Sequence, residues 1–276
     1  MDRRIFCAIA ENDIPSFTRL VQEDDGILEQ RTIGSLNTVL HFASKYGHIN
    51  MVMEIIKLRP EMAAVENKLL EIPLHVACRQ GDIEVVMLLL KTNPWLSCKL
   101  NSKNQSALFI ACSNGHLNVV KLLLNQPWCV RIEDEAQLNS LHLAASKGHA
   151  DIVGHILNLC PNLAHNIDEN GYSPLHYACS RGHVSITAML LRFDLNLSLQ
   201  FDNSGYTPLH LAAMNGDLAI LEEFVALAPA SFQFLTTHGE TVFHLAAGFN
   251  HYIAFNYLAT VFCDTDLFHR PDKFVS

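Results

Sequence analysis

A repeat of 34 residues constrains the fold of this chain more than any other sequence feature. The same motif position recurs at residues 41, 75, 109, 142, 176, 210 and 244, so every spacing is 34 residues except one of 33. It holds His in every copy except Phe109. Six residues later, a Gly or Asn followed by His or Asp keeps the same phase, as in Gly47-His48 and Gly216-Asp217. A copy this short cannot bury a core alone, so the period predicts a solenoid whose copies stack on one another.

Each copy contains the signals of two consecutive helices. The pair Thr207-Pro208 is typical of a helix start, because the hydroxyl caps a free amide and Pro needs no hydrogen bond there. Gly216 predicts the end of this first helix. Apolar residues at helical spacing follow, as in Val119–Leu124, and predict a second helix. We expect this second helix to stop at a proline in five copies, at Pro60, Pro94, Pro127, Pro161 and Pro229.

The period and the motif Thr-Pro-Leu-His-Leu-Ala-Ala at 207–213 identify a resemblance to ankyrin-repeat proteins. The resemblance implies an all-α solenoid of about eight helix-turn-helix repeats joined by β-hairpin loops. It also implies a single domain over residues 1–276, with repeats that begin near residues 1, 35, 69, 103, 136, 170, 204 and 238.

A narrower resemblance is to plant ankyrin proteins that carry a C-terminal membrane domain and act in immune, cell-death or salt-stress signalling. It rests on Pro-containing repeat ends such as 160–164, and the sequence contains no such membrane domain. It implies the cytosolic recognition part of a signalling or defence protein, tethered to the plasma membrane if the full-length protein has that domain. One alternative is a complete soluble adaptor or inhibitor. Another is the targeting module of an enzyme whose catalytic domain lies outside this chain.

Charge, apolar run length and cysteine spacing limit the partners and the cellular compartment that we expect for this chain. The 28 Asp and Glu against 19 Lys and Arg argue against a nucleic-acid binder, which needs a basic face. No apolar run approaches the roughly 18–20 residues that span a bilayer, so we expect no membrane contact by this segment. The eight cysteines show no paired C-x-x-C spacing, and no secretory signal precedes them, which favours reduced thiols in the cytoplasm.

The repeat also accounts for most of the residues that would otherwise indicate a metal or catalytic site. The resemblance implies that the motif histidines bridge backbone groups of adjacent repeats, and they are His41, His75, His142, His176, His210 and His244. Equivalent histidines would lie about 10 Å apart, too far for one metal ion. Cys78, Cys112 and Cys179 share one repeat position and are expected in the core, whereas Cys98, Cys129, Cys160 and Cys263 are candidates for surface reactivity. No catalytic or phosphate-loop motif is present, so we expect no enzyme activity, no cofactor and no metal.

Binding then falls to the positions that differ between repeats. The family resemblance places them at the hairpin tips and the exposed side of the first helices, along a concave groove. The candidate protein-binding residues are Tyr46, Arg79, Gln105, Glu135, Lys147, Glu169, Asn170, Tyr172, Arg181, Asn203, Tyr206, Met214 and Phe249. Acidic pairs such as Asp168-Glu169 favour a basic segment of another protein as the partner.

The last helical pattern, at 252–262, is apolar nearly all round. A helix of that kind is normally covered on more than one side. We therefore expect a further repeat to follow, opening near Arg270-Pro271, or self-association through the last repeat.

Overall fold

In the computed structural model, which describes residues 1–126, 129 and 139–263, each repeat folds as two antiparallel helices. These residues contain sixteen helices, which confirms the all-α prediction. They are α1 (Arg3–Ala10), α2 (Ile14–Glu23), α3 (Val39–Tyr46), α4 (Ile49–Leu58), α5 (Pro73–Gln80), α6 (Ile83–Thr92), α7 (Ala107–Ser113), α8 (Leu117–Leu124), α9 (Ser140–Lys147), α10 (Ala150–Leu159), α11 (Pro174–Ser180), α12 (Val184–Phe193), α13 (Pro208–Asn215), α14 (Leu218–Leu227), α15 (Val242–Gly248) and α16 (Tyr252–Phe262).

The helices belong to two compact units, Met1–Glu135 and Ala136–Ser276, which we call the N-terminal and C-terminal units. In the N-terminal unit the first helices α1, α3, α5 and α7 pack side by side, and the second helices α4, α6 and α8 do the same. In the C-terminal unit α9, α11, α13 and α15 form one row and α10, α12, α14 and α16 form the other. The motif leucines, such as Leu74 and Leu209, are fully buried between the rows.

The helix starts follow the sequence signals. Thr207 and Thr241 lie just before α13 and α15, and the side chain of each accepts a hydrogen bond from the backbone N–H of the motif histidine three residues later. Gly216 ends α13 in the left-handed conformation, with φ of 66°. This backbone is the one that closes a helix and that residues with a Cβ avoid.

The prolines do more than stop the second helices. Four of them begin a 3₁₀ turn of five residues, at Pro60–Ala64, Pro94–Cys98, Pro161–His165 and Pro229–Gln233. The turn buries an apolar side chain in each case, for example Leu96 and Phe232. A repeat therefore has a third short element that the helix-turn-helix prediction left out. Pro127 lies outside the described residues.

The loops between repeats are tight turns rather than strand ladders, and no strand occurs in the described part of the chain. In the loop at 168–172, Asp168 N–H donates to the Tyr172 carbonyl at 3.0 Å, and its Oδ1 accepts from the N–H groups of Asn170 and Tyr172. Neighbouring loops also bond to each other, since Asn203 N–H donates to the Asn170 carbonyl at 3.0 Å. The polar turn chemistry thus replaces the expected β-hairpin.

Five cysteines are buried, and they include Cys129 and Cys160 as well as the three at the shared core position, Cys78, Cys112 and Cys179. Burial raises the pKa of the Cys78 and Cys179 thiols, which keeps them protonated and unreactive. Cys129 and Cys160, two of the four candidates for surface reactivity, do not fit that role because both side chains are enclosed. Cys98 is partly exposed and Cys263 is exposed.

Candidate protein-binding surface

The motif histidines link successive repeats, and His176 shows how. Its Nδ1 accepts a hydrogen bond from the Ser173 backbone N–H at 3.1 Å and lies 2.8 Å from the Ser173 hydroxyl. Because Nδ1 accepts, the proton is on Nε2, which donates to the Tyr206 carbonyl of the next loop at 3.3 Å. His41 and His142 reach the next loop in the same way, at the Glu71 and Tyr172 carbonyls.

The other three motif histidines differ in where Nε2 points. His75 bonds the Lys99 carbonyl at 3.1 Å, just before the next loop. Nε2 of His210 is buried and makes no hydrogen bond of good geometry in the described part of the chain, where the Phe234 backbone is a weaker partner for this side chain. Among the described residues, His244 bonds only within its own repeat, at Thr241. His75 and His210 are fully buried and are not available to a ligand.

Burial favours the neutral form of five motif histidines. It lowers the pKa of His41 and His75, and it lowers the pKa of His142, His176 and His210 to about 4. A neutral imidazole has one donor and one acceptor, which is what the two backbone bonds of His176 require.

A second set of histidines links the repeats in the opposite direction, and sequence reasoning placed these only in a turn. His183, just before α12, lies with Nε2 3.1 Å from the Ser146 carbonyl of the preceding repeat. His116 and His251 make the same contact with the Arg79 and Met214 carbonyls at 3.0 and 2.7 Å. Where Asp217 replaces His, its carboxylate caps α14 instead. The available sequence signal was that this position carries either His or Asp in every repeat from the second onward.

No three His, Cys, Asp or Glu side chains come together to hold a metal ion in the residues that the structure describes. The repeat contains one motif histidine, and this spacing remains the physical reason to expect no bound metal ion. That expectation stays a prediction.

The three candidate residues that the structure describes in the N-terminal unit differ in how strongly other side chains hold them. Tyr46 is exposed at the end of α3, with its ring stacked 6.4 Å from that of Phe42 and Lys45 Nζ 5.9 Å from its centroid. Arg79 is tied to the buried carboxylate of Glu71 by an ion pair. Gln105 accepts from the Asn101 side chain at 2.9 Å. Tyr46 is therefore the freest of the three.

In the C-terminal unit, Tyr172 lies in a cluster of aromatic and acidic side chains. Its ring centroid is 5.5 Å from those of Tyr177 and His176. The Tyr177 hydroxyl donates to Oδ2 of Asp168 at 2.7 Å. Burial, followed by the carboxylates of Asp202 and Asp168, raises the pKa of Tyr172. Sequence reasoning missed Tyr177, because it occupies a helix position that carries Leu, Ile, Val or Phe in the other copies of the motif.

The remaining candidates of this unit fall into two groups. The loop group is exposed, and in it the Asn203 amide donates to the Glu169 carbonyl at 2.9 Å. The helix-end group lies at the other end of the first helices, about 12 Å away for a helix of eight residues. The loop group contains Glu169, Asn170 and Asn203 beside the half-buried Tyr206, and the helix-end group contains Lys147, Arg181, Met214 and Phe249. Glu135 lies outside the described residues.

The N-terminal unit carries exposed apolar loop residues that sequence reasoning did not include. Leu36 and Leu70 adopt the left-handed backbone, with φ of 58° and 55°. This conformation costs about 1–2 kcal/mol for a residue with a Cβ. The equivalent loop residue is Asn104 in one repeat and Gly in three others, so the missing Gly or Asn was the available signal.

Charge is unevenly divided between the units. The C-terminal unit has 12 Asp and Glu against 5 Lys and Arg, whereas the N-terminal unit has 16 against 14. Of the net charge of −9, the C-terminal unit therefore carries −7. In the stretches 1–126 and 139–263, no helix is long and apolar enough to cross a membrane.

Comparisons with known proteins agree with this repeat architecture. The family model for ankyrin repeats (3 copies) matches residues 5–96, 40–139, 74–162, 141–231 and 199–269. The crystal structure of the human ASB11 ankyrin repeat domain is similar, with a TM-score of 0.66 and 22% identity over 76% of this chain and 92% of that one. No curated protein matches the chain. Because the family model covers nearly the whole chain, the protein belongs to the ankyrin-repeat family.

Proposed function

We propose that this chain is a non-catalytic module that binds another protein through its loop tips and the ends of its first helices. Ankyrin repeats are protein-protein interaction modules. The observation that carries the proposal is the cluster around Tyr172. Half-buried tyrosines at loop positions offer large contact areas that lose little conformational freedom on binding.

The partner of this cluster is a basic segment. Asp168 and Asp202 influence the Tyr172 phenol, Glu169 is exposed in the same loop as Tyr172, and the whole C-terminal unit is strongly acidic. The unlike charges would speed association at physiological salt more than they would increase affinity. The tyrosine rings would contact the apolar stems of Lys or Arg side chains.

The cellular setting that we propose follows from the sequence resemblance. The protein acts in the cytoplasm as the recognition part of a plant signalling or defence protein. Its proline-containing repeat ends support this assignment. A soluble adaptor and the targeting module of an enzyme remain the two alternatives.

Affinity capture followed by quantitative mass spectrometry tests the proposal. We expect Tyr172→Ala with Tyr206→Ala to reduce recovery of the partner by at least about tenfold, since tyrosines are frequent hot spots. The melting temperature should change by no more than about 4 °C, as for partly exposed residues.

The control removes exposed apolar side chains at the end of α10 and at the start of the 3₁₀ turn after α12. Leu159→Ala with Leu195→Ala changes two residues that are each about half exposed. This pair should leave recovery unchanged. Recovery that survives the tyrosine changes but is lost in the leucine control would place binding on a different face from the one we propose.

A further inference from the structure

Two adjacent loops of the N-terminal unit hold leucines in a backbone conformation that leucine avoids. Leu36 and Leu70 each precede the residue that closes the loop, and both have positive φ. The next loop has Asn104 there, and Gly171 and Gly205 occupy the position in the C-terminal unit. Asn and Gly accept this backbone readily, and leucine does not.

The same leucines are also exposed. Leu36 and Leu70 expose 42% and 46% of their surface, the adjacent Leu69 exposes 51%, and Ile33 is fully exposed. Both the backbone and the exposed apolar surface are unfavourable for the isolated chain. Strain that the surrounding structure maintains is a recognised mark of functional positions.

Backbone hydrogen bonds hold these loops next to each other. The Lys68 N–H donates to the Ser35 carbonyl at 2.9 Å, and the Ser102 N–H donates to the Leu69 carbonyl at 2.8 Å. The apolar residues of the first two loops therefore form one continuous edge of the unit. We call Ile33, Leu36, Leu69 and Leu70 the leucine edge.

The charged residues around the leucine edge leave a net positive surface. Glu66 pairs with Lys99 at 3.1 Å, and Glu71 pairs with Arg79. Lys68 and Lys103 are exposed at the loop tips, and neither forms an ion pair within the described residues. An apolar edge with unpaired ammonium groups complements a segment that carries apolar side chains and carboxylates.

We propose that the leucine edge binds an acidic amphipathic segment of another protein. Apolar side chains of that segment contact the four edge residues, and its carboxylates pair with Lys68 and Lys103. The edge belongs to a different unit from the Tyr172 cluster and has the opposite charge, so either proposal can fail alone.

A protein segment fits this edge better than a membrane does. Electrostatic attachment to anionic lipid takes a cluster of about four to eight basic residues, and the leucine edge has two unpaired lysines. The hydrogen-bonded loops also hold the leucines at fixed positions, which suits a partner of defined shape.

The test uses the full chain and a library of random 16-residue peptides displayed on phage. We expect selection to enrich peptides that combine Leu, Ile or Phe with Asp or Glu. The affinity of an enriched synthetic peptide is then measured by fluorescence anisotropy. Leu36→Asn with Leu70→Asn should weaken it at least about tenfold, because the apolar anchors are lost.

The asparagine variant also separates binding from folding. Since Asn104 already occupies this backbone in the next loop, the variant should melt at the same temperature as the wild type or higher. Lys68→Glu with Lys103→Glu keeps the leucines and should weaken the same peptide, more so at low salt. Leu195→Asn, at an exposed leucine of the C-terminal unit, should change nothing.

Several results would overturn the proposal. They are the absence of enriched peptides, enrichment of basic peptides, equal binding by the asparagine variant, or a melting temperature of that variant lowered by more than about 4 °C. The last would show that the leucines stabilise the loops. Binding to phosphatidylserine vesicles, lost in the asparagine variant and unaccompanied by peptide binding, would show that the occupant is a membrane surface.

Discussion

Among single residues, we expect a motif histidine that bonds two repeats to stabilise the stack more than one that bonds a single repeat. His176 bonds its own repeat and the Tyr206 carbonyl of the next one. We expect His176→Ala to lower the free energy of unfolding by about 1–3 kcal/mol, because buried polar groups lose their partners. His244→Ala is the matched control. Its hydrogen bonds in the described part of the chain are to Thr241 alone, and its side chain is only partly buried, so its removal should cost less. Equal losses measured by urea denaturation would contradict the bridging role.

The buried histidines also predict how stability depends on pH. His142, His176 and His210 have folded pKa values of about 4, against 6.5 when unfolded. Below pH 6.5 the unfolded chain binds protons that the folded chain does not, so stability is complete above that pH and is lost as pH falls toward 4. Lowering the pH from 7.5 to 5.5 should therefore reduce the free energy of unfolding by about 1 kcal/mol for each of these three histidines.

Urea denaturation at these two pH values measures the effect. His176→Ala should reduce the difference by about the share of one histidine. A pH dependence identical to that of the wild type would show that His176 is not held neutral.

The sequence predicted some residue roles and could not predict others. The bridging role of the motif histidines followed from their phase and the family resemblance. The reverse bridge of His183 could not be read from phase alone, because it depends on how closely α12 approaches Ser146. Leu36 and Leu70 were missed because their importance lies in the backbone angle, which periodicity does not report.

At the scale of elements, the glycine that ends a first helix also makes room for the next repeat. Gly216 has φ of 66°, and an added Cβ would overlap the His251 ring. Gly216→Ala should therefore lower the free energy of unfolding by at least about 1–2 kcal/mol, through backbone strain and the clash together. The control is Gly248→Ala, in α15, where an added Cβ meets nothing within 4 Å. It should be neutral or slightly stabilising, since Ala favours helix. Similar melting curves for the two variants would contradict this dual role.

The helices were the most predictable elements. The Thr-Pro pairs and glycines marked their ends because capping chemistry is local. The 3₁₀ turns were not predicted, since Pro60 or Pro94 excludes a continuing helix without specifying the conformation of the next residues. The loops lack strands because Asn or Asp side chains, such as Asp168 and Asp202, satisfy the backbone groups that a ladder would pair.

At the scale of the whole molecule, the two units offer different surfaces for binding. The C-terminal unit carries most of the negative charge and the Tyr172 cluster, whereas the N-terminal unit carries the leucine edge with unpaired Lys68 and Lys103. Composition gave only the net charge of −9. Its division between the units became visible once the compact units were known.

We propose that repeat-invariant positions build the stack and that variable positions bind the partner. Hydrogen exchange of the chain, alone and with its captured partner, tests this claim most directly. We predict that the partner slows exchange in the loops at 168–172 and 202–206 and at the C-terminal ends of α11 and α13. Exchange in the second helices α12 and α14 should not change. Protection confined to α12 and α14, with the loops unaffected, would show that the partner binds the second helices and not the variable loop positions.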